Sequence, residues 1–197
     1  RKVFAKIPAT SWKLFQSAGF IKEAEIPLLF SGQRDCYFVG KFFGGRQHTD
    51  EDFSDLKKII TRESPRHVKQ TDRNKLSPVE CCSLTDSEDL ALFYGEVFAS
   101  YPFPIFEPTY LKEMMCEDVT YYCVRKNGKI IAAAASESNP SSRYAEMTDF
   151  ATALEWRKQG LAASLLSRME CDLEKNGILT AFTIARAASH AMNMVFK

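Results

Sequence analysis

The sequence predicts an α/β fold, in which a sheet of short strands is flanked by helices. From residue 78 onward, strand-like and helix-like segments follow one another in the order β-α-α-β-β-β-α-β-α. The dipeptide Asn127-Gly128 lies between two apolar runs, and Asn-Gly is the strongest short signal for a β-hairpin. Apolar residues make up 45% of the 197 residues, which is enough to build a core.

The second part of the chain, residues 78–197, carries the longer series of elements. Their limits follow from apolar periodicity, capping residues and turn residues. An aromatic and proline-rich loop at 101–106 joins the first two helices. The predicted elements are a strand at 79–84, helices at 86–100 and 107–116, strands at 119–125, 129–136 and 143–152, a helix at 160–176, a strand at 178–185 and a final helix capped by Ser189.

Residues 1–43 carry a smaller set of elements that does not make a complete domain. A weak similarity between 3–7 and 181–185, each followed by a capped helix, indicates that this segment is the second half of a related domain. The predicted elements are a strand at 3–7, a helix that ends at Gly19, and strands at 20–30 and 36–43.

Residues 44–77 are charged and poor in large apolar residues, so we expect a linker with one short helix at 52–61. The chain begins inside an apparent strand and stops inside an apparent helix. We therefore expect the native protein to continue at both ends.

Charge and cysteine usage restrict the classes of function. Residues 79–197 carry eleven basic and sixteen acidic side chains, which disfavours nucleic acid and suits a small cationic substrate, although an ordinary acidic surface explains the charge equally well. Six cysteines without CxxC spacing and three histidines predict free thiols and no metal site. No signal peptide or run of 18 apolar residues occurs, so we expect a cytoplasmic protein without membrane association.

The most informative segment is 149–162, where a strand ends, a loop turns and a helix begins at small residues. A helix N-terminus presents free N–H groups and the positive end of the helix dipole. Gly160 and Ala162 would let a phosphate approach these amides closely. The alternative is an ordinary turn, because a glycine at a helix start does not by itself define a phosphate site.

The run Arg157-x-x-Gly160-x-Ala162, after a strand that ends at 150–152, resembles the acetyl-CoA motif of the GNAT superfamily of N-acetyltransferases. The resemblance implies a mixed, mostly antiparallel twisted sheet, in which strand 143–152 splays from strand 178–185 and the pantetheine arm lies between them. It also implies that the Thr152 amide stabilises the tetrahedral oxyanion. The implied acetyl-CoA contacts are Phe150, Ala151, Thr152, Arg157, Lys158, Gln159, Gly160, Leu161, Ala162, Ala163 and Ser189.

A narrower resemblance links the chain to the β-lysine N6-acetyltransferases, through the runs at 101–105, 147–152, 183–187 and 192–193. It implies acetylation of β-lysine to Nε-acetyl-β-lysine, a compatible solute. A partial domain precedes the catalytic one in that family, so 1–43 is interpreted as a partial GNAT-like lobe. The catalytic domain at 78–197 would then lack its C-terminal strands. A homodimer is compatible with this organisation.

Three positions depart from the superfamily pattern. Lys158 stands where many members have glycine, and Ser189 where an asparagine often contacts the cofactor. Phe196 stands where a tyrosine often protonates the departing thiolate, and a phenyl ring cannot donate a proton.

Two carboxylates on strand 143–152 are candidates for the general base, since an alkyl ammonium must lose its proton before it attacks the thioester. Glu146 lies six residues before Thr152 and shares its face if the strand alternates regularly. Asp149 is closer to the thioester but on the opposite face, unless a bulge reorients it. Either residue could instead be an ordinary solvated carboxylate.

The substrate contacts are expected from two places. Arg186 is the candidate partner for a substrate carboxylate, or it forms a salt bridge at the helix entry. Tyr101 and Phe103 lie in the loop that covers the substrate in this superfamily, or they fill the core.

Two alternative functions stay open. One is the acetylation of a polyamine or lysine, and the other is a non-catalytic acyl-CoA sensor, which Phe196 favours.

Overall fold

The computed structural model describes residues 1–45, 78–186 and 189–196, and these ranges contain two β-sheets. The helix expected at 52–61 lies outside the described residues. No described helix combines the length and the apolar character that a membrane crossing requires.

The first sheet belongs to the N-terminal lobe, which comprises β1 (Lys2–Pro8), α1 (Trp12–Ser17), β2 (Ile21–Phe30) and β3 (Arg34–Phe42). Its three strands are antiparallel in the order β1-β3-β2. Helix α1 covers one face, where the ring of Trp12 contacts that of Tyr37 at 6.1 Å. The opposite face carries Phe38 and packs against the second sheet.

The second sheet has five strands in the order β4-β5-β6-β7-β8. Only β7 and β8 are parallel, so the sheet is mixed and mostly antiparallel, as the resemblance implies. Its elements are β4 (Val79–Cys81), α2 (Ser87–Val97), α3 (Pro108–Cys116), β5 (Val119–Lys126), β6 (Lys129–Asn139), β7 (Tyr144–Thr152), α4 (Leu161–Lys175), β8 (Thr180–Phe182) and α5 (His190–Val195).

Each face of this sheet has its own apolar core. On one face, α2 and α3 bury Leu90, Tyr94 and Leu111 against β5 and β6. On the other face, α4 buries one apolar stripe against the sheet, composed of Leu161, Leu165, Met169 and Leu173. The four residues recur at intervals of four, which is the spacing of one helix face.

The lobe contacts the second sheet at β7 and β8. The ring of Phe38 lies 5.8 Å from that of Phe182, and the ring of Phe30 lies 5.9 Å from that of Tyr144. The backbone N–H of Ser31 donates to the carbonyl of Ser142 at 2.7 Å. These contacts place the lobe beside β7 and β8.

Three predicted elements are shorter in the structure by at least three residues. Strand β4 ends at Cys81, because Ser83 and Asp86 form a capping box that turns the chain into α2. Helix α2 ends at Val97, where Phe98 takes an extended conformation. Strand β8 was expected at 178–185 but spans only Thr180–Phe182, because its pairing with β7 stops there.

Candidate active site

A β-bulge interrupts strand β7 near its end. Ala151 pairs with Ala133 and Thr148 with Ala135, so two residues of β7 oppose one residue of β6. Asp149 occupies the bulge with φ at 56°, in the left-handed region that Asp tolerates better than most residues.

The bulge shifts the alternation of side chains between the two faces of the sheet. Before it, Met147 packs with the α4 core, and after it Ala151 packs with the α2 and α3 core. Thr152 pairs with Ala132, which belongs to the α4 core. Glu146 therefore lies on the face opposite Thr152, and the expectation that they share a face is wrong, because regular alternation does not hold through the bulge.

Asp149 is buried, with 8% of the residue exposed, on the face covered by α2 and α3. The hydroxyl of Tyr101 donates a hydrogen bond to its Oδ1, and the hydroxyl of Thr148 donates to the same atom at 3.2 Å. Burial raises the pKa of the Asp149 carboxyl; the two hydrogen bonds lower it in part, and the charge of Glu146 raises it further. This carboxylate is thus held in place and is a better proton acceptor than an exposed aspartate.

Two glutamates extend the acidic character of this face. Glu137 of β6 lies directly opposite Glu146 of β7. Like charges at such a pair repel each other. Partial burial raises the pKa of Glu137, and the charges of Asp149 and Glu146 raise it further. We call Glu137, Glu146 and Asp149 the carboxylate cluster.

Lys6 of the N-terminal lobe reaches the carboxylate cluster. Its Nζ lies 3.3 Å from Oε2 of Glu146, 5.4 Å from the ring centre of Tyr144 and 5.0 Å from that of Phe182. One carboxylate of the cluster is therefore already paired with a cation.

Tyrosines from the helical side surround the cluster. The ring of Tyr101 lies 5.0 Å from that of Phe98, which fixes the loop between α2 and α3. Burial, followed by the charge of Asp149, raises the pKa values of Tyr101 and Tyr121, so both remain protonated donors at neutral pH. Phe103 is 57% exposed and lies outside the packed core.

Strands β7 and β8 form a cleft because they pair over only three residues. The last pair joins Glu146 with Phe182, and β7 continues to Thr152 without β8 beside it. Phe150 points to the α4 side of this cleft, and its ring meets that of Phe196 at 5.1 Å in an edge-on contact. The position expected for a thiolate-protonating tyrosine is therefore filled by an apolar ring.

Helix α4 begins beside the end of β7. Gly160 precedes it with φ at 81°, and a side chain built at Gly160 would meet no atom within 4 Å. The first turn of α4 carries no acidic residue. The amides of Leu161, Ala162 and Ala163 belong to that turn, where helix N–H groups lack intrahelical acceptors.

The loop before α4 is fixed by its own hydrogen bonds. Nε of Arg157 donates to the carbonyl of Thr152 at 3.1 Å, and Nε2 of Gln159 donates to the carbonyl of Glu155 at 3.4 Å. Lys158 adopts φ at 63°, a backbone conformation that favours glycine, the residue that the resemblance implies for many superfamily members here.

The remaining predicted residues lie after β8. Ser189 is at the N-cap of α5, as predicted, but its side chain makes no capping hydrogen bond. Its N–H donates to the carbonyl of Arg186 at 2.8 Å. The side chain of Arg186 is exposed.

Sequence reasoning missed Glu137 and Lys6. Only the pairing of β6 with β7 brings Glu137 next to Glu146, and only the packing of the lobe brings Lys6 there. Neither residue belongs to a recognisable motif.

Comparisons with known proteins show the family to which the chain belongs. Residues 87–194 match the acetyltransferase (GNAT) family. The β-lysine N(6)-acetyltransferase of Methanococcus maripaludis is 34% identical over 202 residues, covering 100% of this chain and 72% of that protein. The N-acetyltransferase YodP of Bacillus subtilis is 30% identical over 193 residues, covering 95% of this chain and 66% of that protein.

A solved structure shows the same fold. The ribosomal-protein-S18-alanine N-acetyltransferase of Escherichia coli superimposes with a TM-score of 0.52 at 21% identity, over 60% of this chain and 72% of that one. In the described part of the chain, no three His, Cys, Asp or Glu side chains are grouped to hold a metal ion.

The match to the family model and the identity to named N-acetyltransferases show the family of this protein. The chain belongs to the acetyltransferase (GNAT) family and is an N-acetyltransferase.

Proposed function

We propose that the protein transfers the acetyl group of acetyl-CoA to the terminal amine of a small diamino acid, converting β-lysine to Nε-acetyl-β-lysine as a compatible solute. The observation that carries this proposal is the carboxylate cluster, with buried Asp149 held by Tyr101 at the cleft between β7 and β8. A substrate with two ammonium groups suits a site with several carboxylates. The name of the Methanococcus maripaludis relative supports β-lysine as the substrate.

The residues around α4 fit the phosphates and pantetheine of acetyl-CoA. The open space at Gly160 and the lack of acidic residues in the first turn suit a pyrophosphate, held by the amides from Gln159 to Ala163. The unpaired edge of β7 at Phe150, Ala151 and Thr152 offers backbone groups to an extended chain. When bound, acetyl-CoA supplies the activated acetyl thioester.

Asp149 is the proposed general base. An alkyl ammonium has a pKa near ~10.4 and must lose a proton before it attacks. The raised pKa of Asp149 brings its basicity closer to that of the amine, which favours proton transfer. The neutral amine nitrogen then forms a bond to the thioester carbonyl carbon, and the Thr152 amide donates to the developing oxyanion. The nitrogen becomes cationic in this step and loses its second proton to solvent, which leaves a neutral amide nitrogen.

Collapse of the tetrahedral intermediate breaks the carbon–sulfur bond and releases CoA as a thiolate. Thiols have a pKa of roughly 8.5, so a thiolate leaves readily near neutral pH and takes its proton from water. The edge-on packing of Phe196 on Phe150 is consistent with this route, since neither ring can donate a proton.

Glu137 and Glu146 are then assigned to the substrate's second ammonium group. Glu146 was the other candidate base, but it belongs to the last pair of β7 with β8, before the cleft opens, and its ion pair with Lys6 favours a binding role. Arg186, exposed just after β8, is the proposed partner of the substrate carboxylate, and Ser189 a proposed cofactor contact. Tyr101 and Phe103 would form the covering loop.

The domain organisation is also a proposal. We interpret residues 1–43 as a partial GNAT-like lobe, joined by the segment 44–77 to a catalytic domain at 78–197. The separate three-stranded sheet of the lobe supports this division.

The proposed location is the cytoplasm. All six cysteines are free thiols, which supports this location.

The test is steady-state CoA release with acetyl-CoA and a panel of amines: β-lysine, α-lysine, spermidine and a lysine-containing peptide. The proposal predicts the highest kcat/KM for β-lysine. Higher turnover of spermidine or α-lysine would contradict the β-lysine assignment and leave the acetyltransferase assignment intact. Release of CoA without any added amine serves as the background.

A further inference from the structure

Lys6 and Glu146 form the one recorded ion pair that links the lobe to the second sheet among the described residues. The Lys6 side chain is 33% exposed and that of Glu146 is 20% exposed. Lys6 also lies over the rings of Tyr144 and Phe182, so its ammonium is held from three sides. A lysine held in this way contributes a fixed positive charge to the edge of the carboxylate cluster.

The Lys6 charge offsets part of the negative charge of the cluster, which contains three carboxylates. Glu137 and Glu146 are directly opposite each other on neighbouring strands, and Asp149 lies on the same face. Without Lys6, the substrate would meet three carboxylates. With Lys6 paired to Glu146, the negative charge of the cluster decreases by one unit.

We propose that Lys6 is a specificity-determining residue, which acts through Glu146 to tune the acceptor site to a diamino acid rather than to a diamine. The inference rests on the proposed function. β-Lysine carries two ammonium groups and one carboxylate, whereas 1,5-diaminopentane carries two ammonium groups and no carboxylate. An additional unpaired carboxylate attracts the doubly charged diamine more strongly than the singly charged diamino acid.

The lobe offers a matched control in Lys2. Its Nζ lies 2.6 Å from Glu23 and over the rings of Phe4 and Phe42, at 5.4 and 5.2 Å. Lys2 therefore has the same kind of ion pair and ring contacts as Lys6, and both lie on the same strand. The difference is that the partner of Lys2 belongs to the lobe itself.

The experiment compares kcat/KM for β-lysine and for 1,5-diaminopentane in the wild type, Lys6→Met and Lys2→Met. In Lys6→Met, the ratio of β-lysine to diamine should fall about tenfold, because the freed Glu146 carboxylate favours the dication. The ratio in Lys2→Met should stay that of the wild type. In the double variant Lys6→Met/Glu146→Gln, the ratio should return towards the wild-type value, because both charges are gone.

An equal change for both amines in Lys6→Met would overturn the inference, since a structural defect affects both substrates alike. The same would follow if Lys2→Met changed the ratio as much. If another amine is the best wild-type substrate, the β-lysine proposal fails while the ratio still tests Lys6. If the wild type turns over neither amine, the proposed function fails, and calorimetric Kd values of both amines for the wild type and Lys6→Met then decide whether Lys6 sets the preference.

Discussion

The two faces of the five-stranded sheet differ sharply in chemistry. The α4 face is covered by an amphipathic helix whose buried apolar residues meet alanines of β6. The α2 and α3 face has an apolar centre, but Glu137, Glu146 and Asp149 lie on it towards the lobe. The sheet therefore separates an acidic side, suited to an amine, from a side where a helix N-terminus suits phosphates.

The bulge in β7 determines which of its side chains lie on each face. It places Glu146 on the same face as Asp149 and opposite Thr152, although regular alternation would put Glu146 and Thr152 on one face. A base on one face and an oxyanion donor at the open edge can then act on the same reacting atoms. Substitutions on the two faces should therefore affect different kinetic constants.

The largest effect is expected from Asp149→Asn on the acidic face. Loss of a general base typically lowers the rate by about 10²- to 10⁴-fold, so we expect kcat to fall at least about a hundredfold. The KM for acetyl-CoA should change little. Steady-state kinetics with each substrate varied in turn measures both constants. If the main defect of the variant were a higher KM for acetyl-CoA, the assignment of amine chemistry to this face and of cofactor binding to the other would be contradicted.

Gly160→Val tests the opposite side. A β-branched residue with φ at 81° is strained, which should disturb the first turn of α4 and raise the KM for acetyl-CoA about tenfold with kcat less affected. Gly177→Val is the matched control, since Gly177 has φ at 72° and lies at the other end of the same helix, about 22 Å away. If both variants raise this KM equally, the effect comes from helix stability and not from phosphate binding.

Tyr101→Phe should have a smaller effect, seen mainly in the pH profile. The hydrogen bond from Tyr101 lowers the pKa of Asp149, so its loss should raise that pKa. The acidic limb of the kcat/KM profile should then move to higher pH, so activity should fall on that limb and change little above it. The exposed residue Phe103, in the same loop, offers the control Phe103→Leu. An unmoved acidic limb would mean that another group is the base.

The smallest effect concerns stability. The pKa of Asp149 is raised in the folded protein, so the folded state binds more protons than the unfolded state between the two pKa values. The contribution of Asp149 to the free energy of unfolding is therefore fully present below its unfolded-state pKa of about 3.9. This contribution is lost as the pH rises through its pKa in the folded protein. Asparagine does not ionise, so Asp149→Asn avoids the cost of burying a charged carboxylate. The Tm of the variant should therefore exceed that of the wild type at pH 8, with a smaller difference at pH 4. Thermal unfolding at both pH values measures it, and a lower Tm for the variant at pH 8 would contradict the sign.

Local sequence signals predicted the parts of the fold that depend on local conformation. Asn127 and Gly128 both have positive φ, 50° and 79°, as a tight hairpin turn requires, and the hairpin is confirmed. Gly160 lies directly before α4, one position from the predicted helix start. In both cases a residue with unusual backbone freedom marks the turn.

The features that sequence could not supply depend on pairing between distant segments. The bulge exists because β7 is fitted to β6, and alternation alone placed Glu146 and Thr152 on one face. The Lys6–Glu146 ion pair joins residues 140 positions apart. The short β8 follows from its divergence from β7, which no property of residues 178–185 announces.

The measurement that tests the central claim most directly is a single-turnover comparison of Asp149→Asn and Glu146→Gln with saturating acetyl-CoA and β-lysine. Both substitutions remove one negative charge from the same strand, so charge alone would affect them similarly. We expect Asp149→Asn to slow acetyl transfer at least about tenfold more than Glu146→Gln does, because only Asp149 accepts the proton. Equal rates, or a slower Glu146→Gln, would contradict the assignment of Asp149 as the base and return that role to Glu146.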